Sequence, residues 1–213
     1  MPTKTKPYPA SLTIDYPTKL NRWTTLFRLI LALPILIILT ILTASGGAEF
    51  TDEANREMNQ NGGGIIAGLF IATAFMILFR QRYPRWWFDF NLELNRFSTR
   101  VGAYILLLTD TYPSTVEKQS VHLDIQYPNV TEDLNRWLPL VKWFLAIPHY
   151  VVLFILTVAA IFATILAWFA ILFTGRYPKD LFEFVVGVNR WSLRVTAYAF
   201  LLTTDKYPPF SLK

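Results

Sequence analysis

Long uncharged stretches alternate with short charged ones along this chain. No charged side chain occurs between Leu29 and Ala48 or from Gly62 to Phe79, and residues 143–175 are uncharged apart from His149. A helix of about 20 apolar residues spans the roughly 30 Å of hydrocarbon in a bilayer. The first two stretches therefore predict membrane-spanning helices. The third is longer than one crossing requires, so it must tilt, bend or turn back.

A different pattern follows each apolar region, with apolar residues every three or four positions. The apolar stripes are Phe90, Leu94, Phe97, Val101 and Tyr104 in the first half, and Phe184, Val188, Trp191, Val195 and Tyr198 in the second. Such spacing predicts an amphipathic helix in each half, lying at the membrane interface or packed against the apolar helices. Their polar faces place acids before arginines at helical spacing, which predicts ion pairs along each helix. These residues are Asp89, Glu93, Arg96 and Arg100, then Glu183, Arg190 and Arg194.

Two short segments alternate apolar with polar residues instead. They contain Leu12, Ile14 and Tyr16 in the first half, and Leu123 and Ile125 in the second. Strict alternation is the pattern of a strand with one buried face. We therefore expect two brief strands on the cytoplasmic side that pair with each other.

Several short motifs of the first half of the chain recur in the same order in the second half. Leu20-Asn-Arg-Trp23 recurs as Leu134-Asn-Arg-Trp137, and Pro34 matches Pro148 at the same offset of 114 residues. Farther on, Arg82-Tyr-Pro84 matches Arg176-Tyr-Pro178 at an offset of 94. Self-similarity at this scale indicates a repeated structural unit. We predict two tandem units, residues 1–115 and 116–213, with a polar insertion at about 45–64 in the first.

The matched segments also predict a topology. If matched positions lie on one membrane face, residues 143–175 fold as a hairpin with helices near 135–155 and 158–176; one long tilted helix is the alternative. Basic residues flank the outer ends of the first apolar pair, whereas the insertion between them is acidic. Positive charge favours the cytoplasmic side, which places both termini there. The predicted fold class is an all-α, multi-pass membrane protein, each unit having a transmembrane hairpin and an amphipathic interfacial helix.

Asn-Arg followed by an aromatic residue occurs four times, each time beside an apolar segment. Arginine can keep its guanidinium at phosphate level while its stem and a neighbouring ring lie deeper in the bilayer. The pattern predicts lipid-headgroup or interface anchors, with ion pairing on a solvated face as the alternative for the helical arginines. The predicted anchors are Arg22, Trp23, Arg96, Arg100, Arg136, Trp137, Arg190, Trp191 and Arg194.

Residues that could carry out chemistry are few. The chain has no cysteine and two histidines, His122 and His149. Metal sites and acid-base catalysis need several such groups together, so we predict no metal site and no catalytic site. His149 at the edge of an apolar span is a candidate axial ligand for haem or chlorophyll, although a structural hydrogen bond is the commoner use of such a residue. Basic residues flank apolar spans and form no separate patch, which argues against nucleic-acid binding.

Several strings of the second half carry a family resemblance. They are Leu-Asn-Arg-Trp (134–137), Ala-Ile-Pro-His-Tyr (146–150), Ile-Leu-Phe-Thr-Gly-Arg-Tyr-Pro (171–178), Asn-Arg-Trp-Ser-Leu-Arg-Val (189–195) and Leu-Leu-Thr-Thr-Asp-Lys-Tyr-Pro-Pro-Phe (201–210). In this order they resemble the bacterial membrane proteins grouped as domain-of-unknown-function family 4389. Residues 123–211 look like a full member, and the first half resembles a second copy that departs by its insertion and by Ile35 in place of His149. The resemblance implies a bacterial multi-pass membrane protein and brings no assigned activity.

These patterns favour one function and leave two alternatives. The leading hypothesis is a non-catalytic accessory or scaffold subunit of a larger membrane complex in the bacterial inner membrane, contacting partner helices and lipid headgroups. One alternative is a lipid-binding or membrane-shaping protein, with phospholipid bound. The other is a pigment- or haem-associated subunit that uses His149.

Overall fold

The computed structural model describes residues 8–43, 65–115, 117 and 119–213, with the backbone alone for residues 65–67. The predicted insertion at 45–64 lies outside the described residues. The described residues are mostly helical, with one small sheet. Its strands are β1 (Ala10–Ile14) and β2 (Val121–Ile125). Its α-helices are α1 (Arg22–Leu26), α2 (Arg28–Thr43), α3 (Ile65–Phe75), α4 (Arg85–Ile105), α5 (Val130–Asp133), α6 (Lys142–Leu145), α7 (Ile147–Thr174) and α8 (Lys179–Ala199).

The long uncharged run of the second half forms one continuous helix, so the predicted hairpin is wrong. Between Pro148 and Gly175 there is no glycine or proline to end a helix. Pro148 lies in the first turn, where its missing N–H leaves no helical hydrogen bond unmade. Gly175 ends α7 with a φ of 73°, the left-handed conformation that glycine adopts at helix ends. The 28 residues of α7 make a helix about 42 Å long.

Helices α2 and α3 together correspond to α7. At the offset of 114, Leu33 and Thr43 match Ile147 and Thr157; at the offset of 94, the backbone of α3 begins opposite residue 159. Helix α3 then continues as a π-helical turn, Met76–Arg80. The insertion therefore falls at the middle of the element that α7 forms without interruption.

The sheet joins the two halves of the chain. Strands β1 and β2 pair antiparallel with Leu12 opposite Leu123, which confirms the predicted pairing of two short strands. Each strand buries alternate residues and packs on the amphipathic helix of the other half: β1 on α8, and β2 on α4. Next to each strand, Tyr16 donates a hydrogen bond to the carbonyl of Tyr177, and Tyr127 donates one to the carbonyl of Tyr83.

Helices α4 and α8 form the middle layer. Helix α8 packs between α7 and β1, and α4 packs against α2 and β2. The predicted apolar stripes point into the protein at Phe97, Val101, Val188 and Val195, whereas Phe90 is 44% exposed. Packing of α4 and α8 against the apolar helices is therefore observed, and their location at a membrane interface stays a prediction.

The apolar helices form the outer layer on the side away from the sheet. Along its inner face α7 buries a narrow row, Ala160, Ala163, Ala167 and Ile171, because small side chains allow close approach of α8. Its remaining surface is large, apolar and exposed, and only 22% of its most apolar window is buried. Among the described helices α7 alone is both long and apolar enough to cross a membrane; α2 and residues Gly68–Arg80 are shorter apolar helices.

Candidate functional site

A buried ion pair ties the end of α4 to the start of α2. The Arg28 guanidinium, 2% exposed, lies 2.5 Å from Oδ1 of Asp110 and donates a second hydrogen bond to the Thr109 carbonyl at 3.1 Å. Oδ2 of Asp110 accepts from the backbone N–H of Asn21 at 2.6 Å. The Tyr104 ring lies 4.1 Å from the guanidinium carbon, a cation–π distance. Both carboxylate oxygens of Asp110 are thus engaged.

The second half contains the same arrangement with lysine in place of arginine. Lys142 Nζ lies 2.6 Å from Oδ1 of Asp205 and donates to the Thr204 carbonyl at 2.8 Å. Oδ2 of Asp205 accepts from the Asn135 N–H at 2.5 Å, and Tyr198 lies 5.2 Å from Nζ. Burial lowers the pKa of Lys142, while the hydrogen bond and charge of Asp205 oppose that shift. We call these two sites the arginine junction and the lysine junction.

Local backbone geometry builds both junctions. Asn21 and Asn135 each accept, through their side-chain oxygen, the N–H of the tryptophan two residues later, at 2.9 Å. This bond fixes the turn that aims their own N–H at the aspartate. Leu107 and Leu202 adopt positive φ values of 62° and 56° just before the aspartates. Leucine seldom adopts this conformation, and both side chains are buried, so core packing holds the strained turns in place.

Neither junction has the properties of a catalytic centre. Each charge faces an opposite charge, and each carboxylate oxygen lies next to the cation or to a backbone N–H, which is the arrangement of a structural ion pair. In the described part of the chain no three His, Asp or Glu side chains come together as a metal site. The junctions instead hold the beginning of an apolar helical segment against the end of an amphipathic helix.

The four arginines predicted as headgroup anchors on α4 and α8 bond to backbone carbonyls. Arg96 Nε donates to Leu123 in β2, and Arg190 Nε donates to Leu12 in β1, each at 3.0 Å. Arg100 donates to the Ser114 carbonyl, and Arg194 to the carbonyls of Ser211 and Lys213. These bonds attach strands and tails to the middle layer. Headgroup binding by these residues stays a prediction.

The Asn-Arg-Trp segments lie at the outside of the junctions. Trp23 is 72% exposed and Trp137 is 66% exposed. Arg22 donates to the Phe173 carbonyl at the end of α7, at 3.0 Å. Arg136 is exposed. Trp191 differs from these, since it is buried against α7.

His149 is enclosed by aromatic rings. It is fully buried, its ring lies 4.0 Å from that of Phe210 and 4.7 Å from that of Tyr207, and its Nδ1 accepts from Trp191 Nε1 at 3.1 Å. The proton of its neutral form therefore lies on Nε2. This is the structural hydrogen bond that the sequence suggested as the commoner use. Ile35 and Phe97 occupy the matched positions of the first half and pack together without polar atoms.

The predicted ion pairs along the helices occur with partly different partners. Glu93 pairs with Arg96 at 2.6 Å, whereas Asp89 pairs with Arg85 at 3.4 Å and Glu183 with Lys179 at 3.8 Å. In the last two pairs the base precedes the acid. All three carboxylates are largely exposed, so the pairs contribute little stability.

A basic groove lies at the end of each apolar region. One, of about 740 Å³, lies beside Arg80, Arg82 and Tyr127. The other, of about 570 Å³, lies beside Lys19, Arg22 and Gly175. Within the described residues the side chains of Arg80 and Arg82 have no hydrogen-bond or ion-pair partner, which leaves their guanidinium groups available to an anion.

The family comparison covers the second half of the molecule. Residues 137–211 match the family described as Domain of unknown function (DUF4389). The matched segment contains Lys142, His149, Tyr198 and Asp205, and with them α7, α8 and most of the lysine junction. The match is to a single segment, so a second copy in residues 1–115 stays a prediction. No curated protein and no solved structure matches the chain.

The sequence reasoning missed the junction residues. Arg28 belongs to the basic residues that flank the first apolar pair, and Asp205 lies inside one of the family strings, but no pattern singled out Lys142 or Asp110. The signal was present in the matched positions: Arg28 and Lys142 are 114 residues apart, the offset of the matched prolines. A basic residue occurs at the start of both apolar segments, and an aspartate occurs near the end of both halves. Such a repeated pair of opposite charges indicates a buried ion pair.

Proposed function

We propose that this protein is a non-catalytic accessory protein of the bacterial inner membrane, built from two copies of one unit. Its apolar outer layer contacts lipid and the helices of a larger complex, and its middle layer and sheet hold that surface in shape. The observation that carries the proposal is the exposure of α7. A core helix of a soluble protein would be mostly buried, whereas α7 presents Phe154, Phe162 and Phe173 at 64–78% exposure.

Matched contacts support the two-copy part of the proposal. The arginine and lysine junctions share an aspartate, a tyrosine, a cation and an asparagine N–H in the same arrangement. Each strand packs on the amphipathic helix of the other half, and Leu12 lies opposite its own counterpart Leu123 in the sheet. The same contacts at matched positions favour duplication of one unit over independent origins of the two halves.

Membrane association is tested by vesicle flotation. We expect the purified chain to float with phosphatidylglycerol-containing vesicles in high salt, because burial of apolar surface survives charge screening. Replacing Phe154, Phe162 and Phe173 together by Ser is expected to weaken flotation. Replacing Ser11 and Thr13 of the exposed sheet face by Ala serves as the matched control. A chain that stays soluble and monomeric without detergent would contradict the proposal.

Contact with partner helices is tested by photo-crosslinking in native membranes. A crosslinking residue at Phe154 or Phe162 is expected to capture one protein reproducibly, whereas the same residue at Thr13 is not. Mass spectrometry of the captured band names the complex. If every position along α7 crosslinks to lipid alone, the proposed contact with partner helices is contradicted, and α7 faces lipid only.

Lipid-headgroup binding is a second candidate function, and the basic grooves favour it. Arg80 and Arg82 lie at the end of an apolar helix, where phosphate groups of a bilayer are found, and neither has a described partner. Replacing both by Gln is expected to reduce co-purifying phosphatidylglycerol. Lys179→Gln, on the exposed face of α8, is the control, and unchanged bound lipid in the double variant would argue against this candidate.

A further inference from the structure

Hydrogen bonds link both ends of α7 to the stretch of chain that contains β1, directly at the second end and through Lys206 and Tyr207 at the first. At the first end, Tyr207 donates to the Leu145 carbonyl at 3.2 Å, and Tyr8 donates to the neighbouring Lys206 carbonyl at 3.1 Å. At the second end, the Leu20 N–H donates to the Gly175 carbonyl at 2.9 Å. Tyr8 is two residues before β1, and Leu20 is six residues after it. One short stretch of chain containing β1 therefore connects the two ends of α7.

The lengths agree with this connection. Residues 8–20 can extend to about 42 Å at 3.5 Å per residue, and α7 is about 42 Å long. The stretch must therefore run beside α7 for most of its length. Helix α8 lies between them, packed on both.

This stretch is polar on its outer face. Ser11 and Thr13 are exposed on β1, and Asp15 is exposed just beyond it. Among the described residues the outer edge of each strand has no neighbouring strand, although Arg190 and Arg96 bond to one carbonyl on each. Helix α8 adds the charges of Glu183 and Arg190. Hydrocarbon does not tolerate open sheet edges, because unpaired backbone groups there have no water to bond. If α7 crossed the bilayer, the sheet beside it would lie at hydrocarbon depth.

Interface residues occur at both ends of α7. Arg136 and the exposed Trp137 and Trp143 lie near its beginning, and Lys19, Arg22, Trp23 and Arg176 lie near its end. Tryptophan and basic side chains are enriched at the boundary between headgroups and hydrocarbon. Each end of α7 thus has the composition of a membrane boundary, and the position of the sheet beside α7 is what argues that both ends lie at the same one.

We propose that α7 does not cross the bilayer but lies along it, so that the protein inserts its apolar layer into the acyl chains of a single leaflet. A helix layer is about 10 Å thick and fits within the roughly 15 Å of hydrocarbon in one leaflet. The sheet then lies in water on the side of α8 away from α7. This inference rests on the proposed membrane association, and it replaces the multi-pass topology expected from the apolar stretches.

The absence of cysteine makes a clean topology experiment possible. Single variants Thr13→Cys in the sheet, Arg136→Cys at the start of α7, Arg176→Cys at its end and Phe162→Cys at its middle are all at exposed positions. Each is expressed in bacteria and labelled with a membrane-impermeant maleimide in intact spheroplasts and in inverted membrane vesicles. Lys19→Cys is a second variant for the end of α7.

We expect Thr13, Arg136 and Arg176 variants to label from the same side of the membrane, and the Phe162 variant to label only after detergent is added. Labelling of Arg136 and Arg176 variants from opposite sides would overturn the single-leaflet proposal while leaving membrane association intact. A chain found in the soluble fraction would overturn the proposed function instead. The two failures are therefore distinguishable.

Discussion

The arginine and lysine junctions each place a buried cation beside an aspartate, but they use different side chains to do so. Arg28 uses two nitrogens, one for Asp110 and one for the Thr109 carbonyl, and lies 4.1 Å from the ring of Tyr104. Lys142 makes both corresponding contacts through one nitrogen, and Tyr198 is 5.2 Å away. The rest of the arrangement is the same. The comparison indicates that the aspartate and its turn are the required parts, while the cation can vary in shape.

The largest effect is expected from removing either aspartate. Asp110→Ala or Asp205→Ala leaves a buried cation without its counter-charge, which we expect to cost about 3–5 kcal/mol of unfolding free energy. The measurement is thermal unfolding in mild detergent. Asp89→Ala, which breaks an exposed pair, is the control and should cost less than about 1 kcal/mol. If the Asp89 and Asp205 variants lose the same unfolding free energy, the buried ion pair stabilises the protein no more than the exposed one does.

Exchanging the cations sharpens the comparison. Arg28→Lys gives up one of two separately directed donors and the closer ring contact, so we expect a loss of about 1–2 kcal/mol. Lys142→Arg places a larger group in a fully buried site and is also expected to destabilise through overpacking, by about 1–3 kcal/mol. Unfolding midpoints of the two single variants measure both effects. Two neutral exchanges would show that the junctions are interchangeable.

The asparagine turns should matter less. Asn21→Ala and Asn135→Ala remove the side-chain oxygen that fixes each turn but keep the backbone N–H that bonds the aspartate. Loss of such a cap costs about 1 kcal/mol. Combining Asn135→Ala with Asp205→Ala should cost less than the sum of the two, since both act on one contact. If the two losses of unfolding free energy add, the asparagine turn and the ion pair stabilise the protein independently.

The smallest effect is expected where the halves differ most in polarity. His149→Ile together with Trp191→Phe copies the Ile35–Phe97 contact of the first half into the second. Because both partners of the hydrogen bond are removed together, no new unpaired group is buried, and we expect a change within about 1 kcal/mol. Trp191→Phe alone should be worse, since it leaves His149 Nδ1 buried without a donor. A double variant that loses membrane association would indicate a role for His149 beyond packing.

Sequence patterns predicted the local elements well and the distant contacts poorly. Alternation in Leu12 and Ile14 predicted a strand, and helical spacing predicted α4 and α8, because each pattern depends on neighbours in sequence. The hairpin failed because matching residues 143–175 to an interrupted segment assumed an interruption where no breaker occurs. The junctions were missed since Arg28 and Asp110 are 82 residues apart, and burial of a charge is decided by what packs around it.

The amphipathic helix of each half is covered by a strand from the other half. Strand β1 covers α8 of the other half, and β2 covers α4. A chain with one such unit would have no strand from a second half to cover its amphipathic helix. Two such chains could supply each other, with the residue equivalent to Leu12 facing its own copy across a symmetry axis. Under the proposed two-copy arrangement, a single-unit chain is expected to be an obligate dimer, and fusion of two units would make that partnership permanent.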